Sequence, residues 1–404
     1  MTFLATATAA QRRTLAAAAL GWMLDSFDVM LFTMMLEPVM TALGDRGLGG
    51  LIGTLTLIAS GLGGLWFGAI ADRIGRTRAL MLSILTYSVC TFLCSFAQNV
   101  WQLAVLRFVL GLGMGGEWNT GATLVAETWP AAHRAKALGV VQSSWAVGYA
   151  LAAGVSGLVL HYTTSWRLVF AIGVLPALLT LWVRRQVPES ALFEQRRSAP
   201  AVPISELLSS RYLRSTLGLL AMNTAAMFAW WGLFFWIPTY LVKPIGEHGR
   251  GLSSMTATQF LIVLNLVGML PGYIAFGFVA DRIGRRPTLL LYFFGATAAV
   301  LWYAAQHSTL GLLLLGPLVA FLGTGFFSGS GLVASELFPT TVRSRALGLT
   351  YNVARMISAL APYTIGAAGA KHGLDWAFTI CAGAYLLAGL AVLLLPETRG
   401  RELG

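Results

Sequence analysis

Apolar runs of about 20 residues recur roughly every 30 positions from Leu15 to Leu395, and a run of about 20 is what an α-helix needs to cross the hydrocarbon of a bilayer. A soluble domain carries roughly a quarter charged residues; this chain of 404 has 11% charged and 57% hydrophobic residues. That balance cannot solvate a globular surface or keep a chain disordered, and three cysteines cannot build a disulfide framework. The chain therefore reads as an all-α polytopic membrane protein, because only helices or closed barrels satisfy their backbone in lipid.

Twelve transmembrane helices are predicted near 14–42, 49–72, 78–98, 100–128, 135–161, 165–185, 213–243, 255–281, 287–306, 309–336, 344–370 and 373–396. With the N-terminus in the cytoplasm, 20 of the 27 basic residues fall on cytoplasmic segments. That bias sets both termini inside and accounts for the net charge of +11 without a nucleic-acid partner. The apolar run after Arg12 and Arg13 is too long for the core of a cleavable signal, so helix 1 is expected to be retained.

One offset reveals an internal repeat. Gly68 to Leu80, GAIADRIGRTRAL, matches Gly277 to Leu289, GFVADRIGRRPTL, at a shift of 209, and Glu127 to Gly139, ETWPAAHRAKALG, matches Glu336 to Gly348, ELFPTTVRSRALG, at the same shift. Pro188-Glu-Ser and Pro396-Glu-Thr correspond at 208. Two pseudo-symmetric six-helix halves are expected, residues 1–184 and 213–404, joined by a cytoplasmic linker over 185–212.

The duplicated D-R-x-G-R signature, the duplicated E-x-x-P-x-x-x-R pattern and the P-E-S ending the first half resemble the major facilitator superfamily over nearly the whole chain. Asp25-Ser-Phe-Asp28, Arg107 followed by Gly111, Gly113, Gly115, Gly116 and Glu117, and Tyr351-Asn-Val-Ala-Arg355 are similar to its metabolite:proton symporters of aromatic acids, sialate and lactate. The resemblance implies the twelve-helix fold of that superfamily, alternating access, and a bacterial inner-membrane location.

Charges present at both positions of the repeat serve the symmetric scaffold; charges present once serve the asymmetric task. Asp72 pairs with Asp281, Arg73 with Arg282, Arg76 with Arg285, Glu127 with Glu336 and Arg134 with Arg343 across the repeat. The resemblance implies a cytoplasmic gate in which these groups latch the halves, the carboxylates at the ends of helices 2 and 8 taking guanidinium and backbone donors. The plainer alternative is that they cap helices and fix topology.

Asp25, Asp28, Arg107, Glu117 and Arg355 meet Phe234, Ile237, Gly316, Phe326 and Ala146 at the shift of 209, so they stand alone. A charge at mid-helix costs about 2.5–3.5 kcal/mol on insertion scales. Asp25 and Asp28, three residues apart on one face, and Glu117 are candidates for proton coupling; the alternative for the pair is a permanent salt bridge to Arg107, a buried charge partner. The five histidines fall in loops or at helix ends, which leaves carboxylates to carry protons. Arg355 suits a carboxylate through its planar fork; the alternative is a protein carboxylate as its partner. Tyr351, Asn352, Asn223, Trp230, Trp231 and Gln142 are expected to line a pocket for a small acid with a flat body.

The glycines from Gly111 to Gly116 lie in a membrane helix without the context of a phosphate loop, so they read as close helix packing. Cys90, Cys94 and Cys381 have no histidine or carboxylate companions for a metal. No nucleophile, metal cluster or cofactor loop points to an enzyme. The expectation is a proton-coupled secondary transporter, monomeric and without a cofactor other than protons, that imports a small organic anion, a monocarboxylate or aromatic acid, by alternating access. A proton antiporter exporting drugs or metabolites would use the same fold and acids. A neutral-sugar carrier would leave Arg355 without a purpose, and a transport-dead receptor would more naturally carry an appended domain.

Overall fold

A computed structural model describes residues 7–45, 47–163, 165–189, 206–207, 209–338 and 342–399. Within these the chain is helical: α1 (Ala9–Met34, resuming as Leu36–Ala42), α2 (Gly49–Ile74), α3 (Arg76–Cys94), α4 (Val100–Thr128), α5 (Ala131–Tyr162) and α6 (Trp166–Ile172, resuming as Pro176–Gln186). They are followed by α7 (Leu213–Val242), α8 (Ser254–Val263, a π-helical turn Leu264–Met269, then Leu270–Ile283) and α9 (Arg285–Ala304). The last three are α10 (Thr309–Thr324 and Phe326–Leu337), α11 (Arg343–Ser358 and Ala361–His372) and α12 (Leu374–Val392). Nine helices among the described residues are long and apolar enough to cross a membrane; α4, α6 and α11 are not among them. Two of these, α4 and α11, hold buried charges, and α6 and α11 are interrupted.

Local chemistry explains the boundaries. Helix α1 begins at Ala9, earlier than hydropathy alone places it, because Thr8 and Gln11 form a reciprocal capping box that satisfies the first backbone donors. Asn99, Ser253 and Ser308 cap α4, α8 and α10, each side-chain oxygen accepting the N–H three residues on. Three interruptions fall four residues before a proline: Met34 before Pro38, Ile172 before Pro176, and Ser358 before Pro362. A proline ring clashes with the carbonyl four residues back and donates no hydrogen bond, so each first segment stops there.

The chain divides into two compact units, Met1–Leu48 with Leu55–Pro200, and Gly49–Thr54 with Ala201–Gly404. Most of the expected linker, 190–205 and 208, lies outside the described residues. Each unit repeats the other's construction. The turn from α2 to α3 passes through Gly75 and that from α8 to α9 through Gly284, both at φ 103°, a conformation that disfavours side chains. A Cβ on Gly63 would lie 2.1 Å from the Leu112 carbonyl oxygen, and one on Gly272 2.5 Å from that of Phe321. Both pairs are related by the shift of 209, so the α2–α4 and α8–α10 crossings share one close approach. Gly111 and Gly115 bring α4 equally near the carbonyls of Thr56 and Ser60 on α2, the packing role expected of that series.

Candidate functional site

The unduplicated charges are buried: Asp25 and Asp28 are 0% exposed, Arg107 and Glu117 1%, and Arg355 2%. In the first half α1, α3 and α4 gather four of them. The Thr91 hydroxyl on α3 donates to Asp28 Oδ2 at 3.0 Å, and Asp28 Oδ1 has no hydrogen-bond partner among the described residues. Asp25 is within electrostatic reach of Asp28, Glu117, Arg107 and the Tyr87 phenol. The Arg107 guanidinium lies 4.2 Å over the Phe32 ring and makes no ion pair among the described residues. A ring face stabilises the buried cation.

Glu117 occupies a notch that only glycine leaves. A Cβ on Gly21 would stand 2.0 Å from Glu117 Oε1 and 2.8 Å from its Cδ. Neither Glu117 oxygen has a hydrogen-bond partner among the described residues. Beside it Trp22 packs between Trp118 and Trp145, with ring centroids 4.8 Å apart in both pairs. Ser26, between the two aspartates, donates to the Trp145 carbonyl at 2.8 Å and pins α1 to α5, fixing the face on which Asp25 and Asp28 stand. Gln142 on α5 is also buried in this half, with Oε1 unpartnered among the described residues.

In the second half Arg355 sits in the last turn of the first segment of α11, stopped at Ser358. Its guanidinium is 5.9 Å from the Trp231 ring centroid, and Nη1 has no partner among the described residues. The negative end of a half-helix and an aromatic face make the buried cation tolerable without neutralising it. Asn223 on α7 is fully buried, and both ends of its amide lack hydrogen-bond partners among the described residues. Trp230 meets Trp231 edge-on at 4.8 Å and Phe327 at 5.5 Å, and Tyr273 lies 6.3 Å from Phe327 and within electrostatic reach of Tyr351. Asn352 turns back to its own helix, donating to the Gly348 carbonyl at 2.9 Å.

Sequence reasoning passed over several residues here. Thr91, Tyr87 and Gly21 carried no signal, because hydroxyls and glycines are common in membrane helices. Tyr273 and Phe327 were hidden among 44 other aromatics of a chain with 22 Phe, 13 Trp and 11 Tyr in all; their roles depend on neighbours from other helices. Asn265 was legible as an intramembrane amide. It lies in the π-helical turn of α8, donates to the Leu261 carbonyl at 2.7 Å and leaves Oδ1 without a partner among the described residues.

Several of the duplicated charges form ion pairs with one another. Arg285 Nη2 is 2.8 Å from Glu336 Oε1, Arg285 Nη1 is 3.0 Å from Asp281 Oδ1, and Arg76 Nη2 is 3.6 Å from Glu127 Oε1. Each of these ion pairs joins residues of the same half. The reason is local: in each copy the arginine opens one helix and the glutamate ends the next. The first backbone donors of α3 and α9 are taken by two further carboxylates. Glu189 accepts from the N–H groups of Arg76 and Thr77 at 2.9 and 3.2 Å, and Glu397 from those of Arg285 and Arg286 at 2.9 and 3.0 Å. A carboxylate at a helix N-terminus meets unsatisfied donors and the positive end of the dipole. Partial burial acts to raise the Glu397 carboxyl, but its backbone donors prevail and hold it below the usual carboxylate range. Arg73 and Arg282 are exposed, Arg134 is half-buried, and the side chains of Asp72 and Arg343 lie outside the described residues.

Two helical repeats with buried, unmatched charges define a polytopic membrane carrier. The sequence model described as Major Facilitator Superfamily matches residues 18–252 and 247–403. The chain is 37% identical over 400 residues to a probable 4-methylmuconolactone transporter of Cupriavidus pinatubonensis, covering 96% of this chain and 91% of that protein. It is 31% identical to the cis,cis-muconate transport protein of Acinetobacter baylyi, covering 92% of this chain and 91% of that protein. The xylose transporter XylE from E. coli, in a partially occluded inward open conformation, has the same fold: the TM-score is 0.80 at 17% identity, covering 98% of this chain and 100% of that one. The protein belongs to the major facilitator superfamily, and it is a transporter rather than an enzyme.

Proposed function

We propose that this transporter imports a small organic anion, a monocarboxylate or an aromatic acid, together with protons by alternating access. The observation that carries the reading is Arg355: a buried guanidinium with an unpartnered N–H among the described residues, set against the Trp231 ring of an aromatic cluster. Such a group suits a carboxylate bidentately, and the rings of Trp230, Trp231, Tyr273 and Phe327 suit a flat carbon body. The names of the relatives, carriers of a muconolactone and of muconate, agree with that chemistry.

The proton site is the cluster of Asp25, Asp28 and Glu117, with Arg107 and Tyr87 in its field. Protonation there offsets the negative charge of the incoming acid, so the loaded protein carries a compensated interior and changes access at lower cost. Protons are the coupling ion, and no other cofactor enters. The setting is a bacterial inner membrane with both termini in the cytoplasm, and the monomer is the working unit.

The test is counterflow and uptake of labelled benzoate and cis,cis-muconate in proteoliposomes, with and without a pH gradient. Uptake driven by an inward proton gradient supports symport; stimulation by the opposite gradient marks an antiporter. Undiminished uptake by Arg355→Ala would overturn the anion site.

A further inference from the structure

The Thr91 hydroxyl lies between two acceptors but has one proton to give. Its Oγ1 is 3.0 Å from Asp28 Oδ2 and 3.0 Å from the Tyr87 carbonyl oxygen, four residues back on its own helix. It is fully buried, as is Asp28. In a membrane interior a polar group without a partner is costly, and a carboxyl that gains and loses a proton needs a donor in one state and an acceptor in the other. Few neighbours can supply both.

We infer that Thr91 is the positioning residue that keeps Asp28 hydrogen-bonded in both protonation states. With Asp28 ionised, the Thr91 O–H donates to Oδ2. With Asp28 protonated on Oδ2, the carboxyl O–H donates to Thr91 Oγ1, and the Thr91 proton swings to the Tyr87 carbonyl. One proton is added to the site, no heavy-atom bond changes, and both states remain paired. The inference rests on Asp28 being a proton site.

The other groups around Asp28 cannot take this part. Asp25 shares α1, Tyr87 and Cys94 come from α3, and Arg107 from α4, all within electrostatic reach. Glu117, also on α4, reaches Asp25 and Tyr87. The α5 residues held against α1, Trp145 and Gly148, are neutral, and Arg167 at the start of α6 is committed to the carbonyls of Ser95 and Ala97. These groups shift the energy of the charge; Thr91 is the one whose hydroxyl touches the titrating oxygen.

The experiment is a pH titration by infrared difference spectroscopy of the purified protein in lipid, following the carboxylic C=O stretch. The band missing in Asp28→Asn belongs to Asp28. Thr91→Val, similar in shape but without the hydroxyl, should move the midpoint of that band by about one pH unit toward alkaline, the amount by which a hydrogen bond to the ionised carboxylate outweighs the one made to the neutral carboxyl. Thr91→Ser should restore it, and Thr91→Ala gives a second hydroxyl-free variant if valine disturbs folding. A hydroxyl-free variant that titrates at the wild-type midpoint, with the Asp28 band present, overturns the role of Thr91. A wild-type spectrum with no Asp28-dependent band at any pH overturns the proton-site reading itself.

Discussion

Placing a methyl group on Gly21 tests how the first half holds its buried acid. The new Cβ would stand 2.0 Å from Glu117 Oε1, 2.8 Å from Cδ and 3.3 Å from Oε2, where ordinary contacts are 3.4–4 Å. The carboxyl must therefore retreat by more than an ångström within a site that is 1% exposed. Overpacking of this kind costs about 1–3 kcal/mol, and the helix preference of alanine over glycine returns about 0.5–1 kcal/mol. Gly21→Ala should thus lower stability by roughly 1–2 kcal/mol net, read as a drop in unfolding temperature in detergent, and should depress proton-driven uptake more than counterflow. The same substitution in a Glu117→Ala background meets no carboxyl, so only the helix-preference gain should remain and the coupling between the positions should equal the overpacking cost, about 1–3 kcal/mol. Equal losses in both backgrounds would refute the argument that Gly21 exists to admit Glu117.

Three further outcomes are expected. Arg355→Lys keeps a positive charge but loses the fork, and Arg355→Ala loses both; binding of a labelled carboxylate should fall in that order, by at least about thirtyfold for alanine, the lower end of about 2–5 kcal/mol for truncating a buried charge pair. Glu397→Gln should cost about 0.5–2 kcal/mol as a weakened helix cap. Because the folded protein holds the Glu397 carboxyl below its usual range, its contribution is present above the ordinary carboxylate value and is lost as pH falls through the folded value; the variant's unfolding temperature should lack that part of the acid-side decline. Arg285→Lys should destabilise more than Arg76→Lys in thermal unfolding, since the Arg285 fork reaches Glu336 at 2.8–3.1 Å and Arg76 meets Glu127 at 3.6 Å.

Much of the architecture was legible because a bilayer permits so few solutions. Once apolar runs are long enough to span, each must be a helix, and the shift of 209 between the two D-R-x-G-R copies predicts that the halves are built alike. The turns at Gly75 and Gly284 and the crossings at Gly63 and Gly272 follow that prediction atom by atom. The interruptions in α1, α6 and α11 were also present in the sequence, as Pro38, Pro176 and Pro362, but hydropathy does not register a proline that leaves the run apolar. What escaped was the choice of partner. Arg76, Glu127 and Glu189 are far apart along the chain, and nothing in their spacing says that Glu189 caps α3 while Glu127 meets the guanidinium.

The sequence by itself determined that this protein is a duplicated helical membrane transporter and which five buried charges break the duplication, since burial of charge in lipid is costly enough to stand out in any window of apolar residues. Only the tertiary structure decided what those charges face: Phe32 beneath Arg107, Thr91 on Asp28, the Gly21 notch around Glu117, and Trp231 before Arg355. Helical periodicity assigns a residue to a face, but the side chain it meets is set by how neighbouring helices cross. That is decided by close contacts between residues tens to a hundred positions apart, which no local pattern encodes.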